Sequence, residues 1–191
     1  MKLHIENGVL QRVTSHCDEI VTVPNSVTAI SHCCFGDNTD LKQIVIPDSV
    51  TEIGAYAFEG CTALTEVVIH DSVEYIEEGA FSNSGLTSIE VPETVKNLNG
   101  VFCGCENLKT ATIRGKLDDY RADCVFPFQN CPSLETLTFL DCVRYIKEES
   151  CNGCKSLRNI FVPAKKGDYY KKRFVEELHP LIVELEVKKK K

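Results

Sequence analysis

LKQIVIPDSVTEIGAYAFEGCTA, residues Leu41 to Ala63, returns with substitutions along most of the 191-residue chain. A copy begins at Leu64 (LTEVVIHDSVEYIEEGAFSNSG), another at Leu86 (LTSIEVPETVKNLNGVFCGCEN) and another at Leu134 (LETLTFLDCVRYIKEESCNGCKS); the same frame fits Asp18–Asp40 and Leu108–Ser133. Self-similarity at a period of 22 to 26 residues, about six times over, marks stacked coils, each of which buries its apolar side against its neighbours. The period predicts a solenoid.

Aligned, the copies resolve into columns. Asp18, Leu41, Leu64, Leu86, Leu108, Leu134 and Leu157 open each copy; Val21, Ile44, Val67, Ile89, Ala111, Leu137 and Ile160 follow, then Val23, Ile46, Ile69, Val91, Ile113, Phe139 and Val162. Alternation over so short a run predicts a strand with these residues inward. Gln43, Glu66, Ser88, Thr110, Thr136 and Asn159 then face outward. Pro24, Pro47, Pro92 and Pro163 end the strand by removing a backbone donor, with His70, Arg114 and Leu140 in that place in other copies. A second inward wall runs Val27, Val50, Val73, Val95, Leu117, Val143, and three residues on Ile30, Ile53, Ile76, Leu98, Tyr120, Ile146. Phe35, Phe58, Phe81, Phe102 and Phe128 form an aromatic column whose rings stack from coil to coil, and Cys151 takes that slot in the last full copy.

The last inward column is Asn38, Cys61, Ser84, Cys105, Cys131 and Cys154. Each member is small and can form hydrogen bonds, which predicts a structural ladder that satisfies backbone groups where each coil closes. This column governs the reading of the 11 cysteines: four of them repeat at one structural position, so packing rather than crosslinking is expected. Cys151-Asn152-Gly153-Cys154 has the spacing of a redox or zinc motif, yet its two thiols fall in different columns and no second ligand pair follows. Neither this pair nor Cys103/Cys105 or Cys33/Cys34 is expected to hold a metal or a cofactor.

The unit LxxIxIPxSVTxIGxxAFxGCxx resembles the BspA-like leucine-rich-repeat family, over roughly Asp18 to Ala164. The resemblance implies an α/β-type repeat solenoid: a right-handed coil with a parallel concave β-sheet and a short irregular convex side. It also implies protein binding, often by surface or secreted proteins that contact host or partner cells.

Three regions are expected. Residues 1–17 leave the frame, and Asn7-Gly8 between two apolar runs predicts an N-terminal hairpin cap. Residues 18–163 are the solenoid, with three extra residues in the segment RADCVFP of the fourth copy. Residues 164–191 hold a capping helix, with Asp168 at its N-terminus, Tyr170, Phe174 and Leu178 on its apolar side and Pro180 at its end, then a closing strand over Leu181–Val187 and a basic tail. Lys165, Lys166, Lys171, Lys172 and Arg173 read as a solvated helix face.

Catalytic signatures are missing: there is no GxSxG, GxxxxGK[ST] or HExxH, and the five histidines do not cluster. No catalytic residue is assigned, and the chain is expected not to be an enzyme. The formal charge is −7, of which Lys188–Lys191 contribute +4, so the remainder carries −11; this argues against nucleic acid as a partner. No apolar run approaches the roughly 20 residues that span a bilayer. With no apolar signal core in MKLHIENGVLQ, the expected compartment is the cytoplasm, or the cell surface or exterior if a leader has been removed.

What remains is a binding surface. The concave-face candidates are Val68, His70, Glu90, Thr112, Arg114, Thr138, Leu140 and Phe161, with the larger apolar groups towards the C-terminal end. A protein partner is expected, engaged by a monomer or weak homo-oligomer. The alternatives are a structural or self-associating repeat protein and, behind it, a thiol or zinc protein.

Overall fold

A computed structural model describes residues 2–14, 18–117, 127–141, 143 and 146–186. The chain is a parallel β-solenoid of about seven turns with few helices. Strands β1 (Lys2–Glu6) and β2 (Val9–Thr14) form an antiparallel hairpin, its turn made by Asn7 and Gly8 with φ of 51° and 79°. Ten short strands follow: β3 (Ile20–Thr22), β4 (Ala29–Ile30), β5 (Gln43–Val45), β6 (Glu52–Ile53), β7 (Glu66–Val67), β8 (Tyr75–Ile76), β9 (Ser88–Val91), β10 (Thr110–Ile113), β11 (Thr136–Phe139) and β12 (Asn159–Val162). Helix α1 (Gly167–Lys171), a 3-10 segment (Glu176–Leu181) and β13 (Ile182–Glu184) complete the described chain.

The main ladder is parallel and in register, Thr22 opposite Val45 and Ile44 opposite Val67, then Ile89, Ala111, Leu137 and Ile160 in a row. It comes in two pieces, β3-β5-β7 and β9 to β13. Among the described residues the inward columns are buried as their periodicity requires, except for Asp18, which is exposed, and Asn38 and Cys154, which are half-buried. The first coil has no earlier coil to pack against, so the Asp18 carboxylate there keeps its water. Tyr120 and the extra residues up to Phe126 lie outside the described residues, as does the tail Lys188–Lys191.

The second wall is more regular than expected over the first coils. Ala29 and Ile30 pair with Glu52 and Ile53, and these with Tyr75 and Ile76. Strand β2 joins the same ladder through Val9↔Ala29 and Leu10↔Ile30, which buries Leu10 completely. Beyond β8 this wall has no strand among the described residues.

A third set of contacts runs through the bends. Phe35, Phe58, Phe81 and Phe102 each donate a backbone N–H to the next coil, to the carbonyls of Ala57, Ala80, Val101 and Pro127 at 2.8–3.0 Å. Two residues beyond each phenylalanine, Asp37, Gly60, Asn83, Gly104 and Asn130 repeat the move onto Glu59, Ser82, Cys103, Gln129 and Asn152. Inside this bend the five phenylalanine rings lie nearly parallel, their centroids 5.0, 5.0, 5.9 and 5.7 Å apart. The widest step, Phe81 to Phe102, falls where the strand ladder is interrupted, yet the bend bonds cross it without a gap.

Asp37, Gly60, Asn83, Gly104, Asn130 and Gly153 share one left-handed bend position, with φ between 56° and 83°. Asx and glycine alternate for a steric reason. A Cβ on Gly104 would sit 2.1 Å from Asn83 Oδ1, and one on Gly153 would sit 2.6 Å from Asn130 Oδ1. The short polar side chain tolerates the left-handed region and lies over the next coil, which must then lack a Cβ.

The C-terminal segment differs from the single helix expected. Helix α1 has five residues, Val175 is extended (φ −58°, ψ 153°), and a 3-10 segment containing Pro180 follows. Asp168 does not cap α1; instead the Glu184 carboxylate of β13 accepts the N–H groups of Gly167 and Lys165 at 2.8 and 2.7 Å. Those two donors hold the Glu184 carboxyl below the ordinary carboxylate range. The apolar residues still go inward: Tyr170 and Phe174 are buried, and their rings pack on Phe139 at 5.0 and 6.3 Å. Tyr170 donates its hydroxyl to Asp141 O at 2.7 Å and accepts from Val143 N at 3.1 Å. Burial of one tyrosine with both hydrogen bonds satisfied decides the local path over a longer helix.

The alternation yields a paired test. Gly104→Ala is expected to cost about 1–3 kcal/mol in denaturant unfolding, and Asn83→Gly in the same chain to recover part of that loss by removing the clashing amide. Additive losses in the double variant would show that the two coils do not compete for that space.

Candidate functional site

The side chains that could meet a partner are those the ladder turns outward. Val45 and Val68 stand next to each other on β5 and just beyond β7, with Ile20 of β3 one row below; they are 45%, 57% and 60% exposed. Glu90, Thr112, Thr138, Phe161 and Val183 continue the row by direct cross-strand pairing. Glu90 and Val183 are exposed, while Thr112, Thr138 and Phe161 are half-buried. All eight sequence-assigned face residues, Val68, His70, Glu90, Thr112, Arg114, Thr138, Leu140 and Phe161, thus lie along this one ladder or at its C-terminal rim.

Three features escaped the sequence. Ile20, Val45 and Val183 are exposed apolar groups on the same face, so apolar surface occurs at both ends rather than increasing towards the C-terminus. Phe161 is flanked in register by Val183 of β13. Polar pairs also bridge adjacent coils along the rim: His70 Nδ1 is 2.9 Å from Asp48 Oδ1, and Arg114 Nη1 is 3.4 Å from Glu90 Oε1. Both His70 and Arg114 stand where other copies have proline, which frees the rim position for a polar side chain. Lys96 pairs with Glu74 and lies over the Tyr75 ring, 4.7 Å from its centroid, on the second wall.

The bend column is a hydrogen-bond ladder. Cys61, Cys105, Cys131 and Cys154 donate their thiols to the carbonyls of Phe35, Phe81, Phe102 and Phe128, one coil back, at 3.1–3.2 Å. The carbonyls of Phe35, Phe81 and Phe102 also accept the backbone N–H of the residue three positions on, Asn38, Ser84 and Cys105, so both lone pairs are used. Ser84 is buried and 3.4 Å from Cys105 Sγ. Asn38 belongs to the first coil, with no aromatic carbonyl behind it, and its Oδ1 accepts from Asp40 N instead.

Burial holds the inner thiols Cys105 and Cys131 in the protonated form. It pushes Cys105 up to about 11, and raises Cys131 further. At the last copy the structure brings together what column reading kept apart: the Cys151 thiol donates to the Cys154 sulfur. That bond lowers the Cys154 pKa and raises that of Cys151. The two residues share a turn, closed by Cys154 N–H to Cys151 O at 3.0 Å, with the narrow Cys151 where other copies carry a phenylalanine. Among the described residues eight cysteines are thiols outside any disulfide, and no three His, Cys, Asp or Glu side chains are grouped to hold a metal ion.

The ladder can be separated from packing alone at Cys131. Cys131→Ser keeps the donor and is expected to stay within about 1 kcal/mol of the parent, whereas Cys131→Val, apolar and branched, is expected to cost about 1–3 kcal/mol. A valine variant as stable as the serine variant would mean that the thiol hydrogen bond contributes nothing.

The comparisons agree with this architecture. The chain resembles a leucine-rich repeat protein from Bacteroides ovatus (TM-score 0.62, 24% identity, 75% of this chain and 39% of that one). It resembles the pneumococcal vaccine antigen PcpA over 95% of this chain and 45% of that one (TM-score 0.74, 21% identity). The T. pallidum leucine rich repeat protein matches over 88% of both chains (TM-score 0.56, 19% identity). At such identities the likeness is one of fold, and the chain spans about two fifths of the length of the first of these proteins. A search of curated proteins finds no match. No helix among the described residues is long and apolar enough to cross a membrane. The model of the BspA type leucine rich repeat region matches in six copies, over residues 14–126 and 98–178, and the chain therefore belongs to the BspA-type leucine-rich-repeat family.

Proposed function

We propose that this chain is a non-enzymatic protein-binding scaffold that engages its partner through the outer face of the main strand ladder. Members of the family are generally protein-interaction scaffolds. The observation that carries the reading is the composition of that face: exposed Ile20, Val45 and Val68 at one end, Leu140 and Val183 at the other, and the coil-bridging pairs His70–Asp48 and Arg114–Glu90 along the rim. Apolar anchors flanked by charge suit a protein surface better than a small ligand. In this reading residues 1–17 and 164–191 act as caps for the solenoid at 18–163. Surface or secreted placement is common in the family, and we take it as the alternative to the cytoplasm.

A second reading, self-association, is favoured by one observation. Strands β3 and β13 stand at the ends of the two pieces of the main ladder, and an open strand edge pairs readily with another.

A paired variant tests the face. Val68→Ser with Leu140→Ser is expected to abolish partner capture by the immobilised chain and leave the melting curve unchanged. Capture that survives, or that is lost only through substitution of Glu74 and Lys96 on the second wall, would move the interface off this face. A monomer by light scattering at high concentration would dispose of self-association.

A further inference from the structure

Outside that face lies a pair of groups with chemistry of its own. The His32 Nε2 is 3.1 Å from Cys33 Sγ, and both residues are exposed. Cys33 takes a left-handed bend position, φ 50°, which the later coils fill with Tyr56, Gly79 and Gly100 at 56–62°. Two of those four residues are glycine, for which the conformation is free, whereas at Cys33 it costs about 1 kcal/mol. The result is a thiol aimed away from the core, while its neighbour Cys34 points into it.

The imidazole is also held. Its ring packs edge-on against Tyr56 at 5.8 Å, and Tyr56 itself lies over Gly79, where a Cβ would come within 2.4 Å of the ring. A nucleophile, a base within hydrogen-bond reach and a ring that fixes the base are the parts an activated thiol requires. The cleft beside Cys33 is lined by Arg12 and by Asp37 and Asp40, so peptide-like carboxylates and ammonium groups both find a complement there.

We propose that Cys33 is a thiol-exchange site, with His32 as its base and a low-molecular-weight peptide disulfide as co-reactant. With the ring proton on Nδ1, His32 Nε2 takes the Cys33 proton. The thiolate attacks one sulfur of the disulfide, forming a Cys33–S–S–R bond as the R–S–S–R bond breaks, and the leaving thiolate recovers the proton from the imidazolium. One disulfide is consumed and one formed, so no further oxidant is needed. Because Cys34 is buried on the opposite side, the mixed disulfide persists rather than passing to a neighbouring thiol.

Oxidised glutathione serves as the probe, with the full chain acid-quenched over time and mapped by mass spectrometry. The expected result is glutathione on Cys33 first, at a rate roughly tenfold or more above that of a short unstructured cysteine peptide. His32→Gln, at an exposed position, is expected to bring the rate down to that of the peptide with melting unchanged. Modification of another cysteine first, a parent rate equal to that of the peptide, or an unchanged rate in His32→Gln would overturn the proposal.

Discussion

Everything else in this molecule depends on the backbone hydrogen bonds that pass from bend to bend. The strands are two to four residues long in the stacked coils, and their ladder is interrupted between β7 and β9. The bend bonds are not: Phe81 N reaches Val101 O at 2.9 Å and Asn83 N reaches Cys103 O at 2.8 Å across the same junction. Register is therefore fixed where the chain turns. Stacked phenylalanines follow from it, since coils about 4.8 Å apart bring like residues to ring-stacking distance.

The same constraint explains why so many cysteines sit in one column. At the bend a carbonyl has one lone pair left after accepting from its own coil, and the donor that fills it must be small, largely apolar and sent from the next coil. Cysteine meets all three demands and serine meets them at Ser84. A thiol used in this way is desolvated, as the raised pKa values of Cys105 and Cys131 reflect. Within the column only Cys154, in the last coil, is a half-buried thiol; outside it Cys103 is half-buried in a middle coil and Cys33 is exposed in the first.

Much of this was legible in the sequence, because a column repeated six times averages out local exceptions. Leu41, Ile44, Ile46, Phe58 and Cys61 announce their neighbours by recurrence. The alternation of Asx and glycine was harder to see, as it needs two coils to complete one period. The C-terminal segment misled in a different way: Tyr170, Phe174 and Leu178 have helical spacing, and two of them are buried, but Val175 and Pro180 break the backbone and Glu184 arrives from a distant strand to take the first-turn N–H groups. On the candidate face, Val68, His70 and Leu140 could be picked out as departures from the repeat. Ile20 and Val45 could not, since each is an ordinary strand residue in its own copy and becomes notable only beside Val68. The His32–Cys33 contact depends on a left-handed φ that Cys33 itself does not signal, although Gly79 and Gly100 hold the same position in later coils.

Amide hydrogen exchange, resolved residue by residue, tests most directly whether the bends hold the coils in register. The slowest amides are expected to be those of Phe58, Phe81 and Phe102 together with Gly60, Asn83 and Gly104, with one common protection across the β7–β9 interruption. Exchange in which the strand amides of β5, β10 and β11 outlast those of the bends, or in which the two halves of the chain open independently at that interruption, would contradict the account.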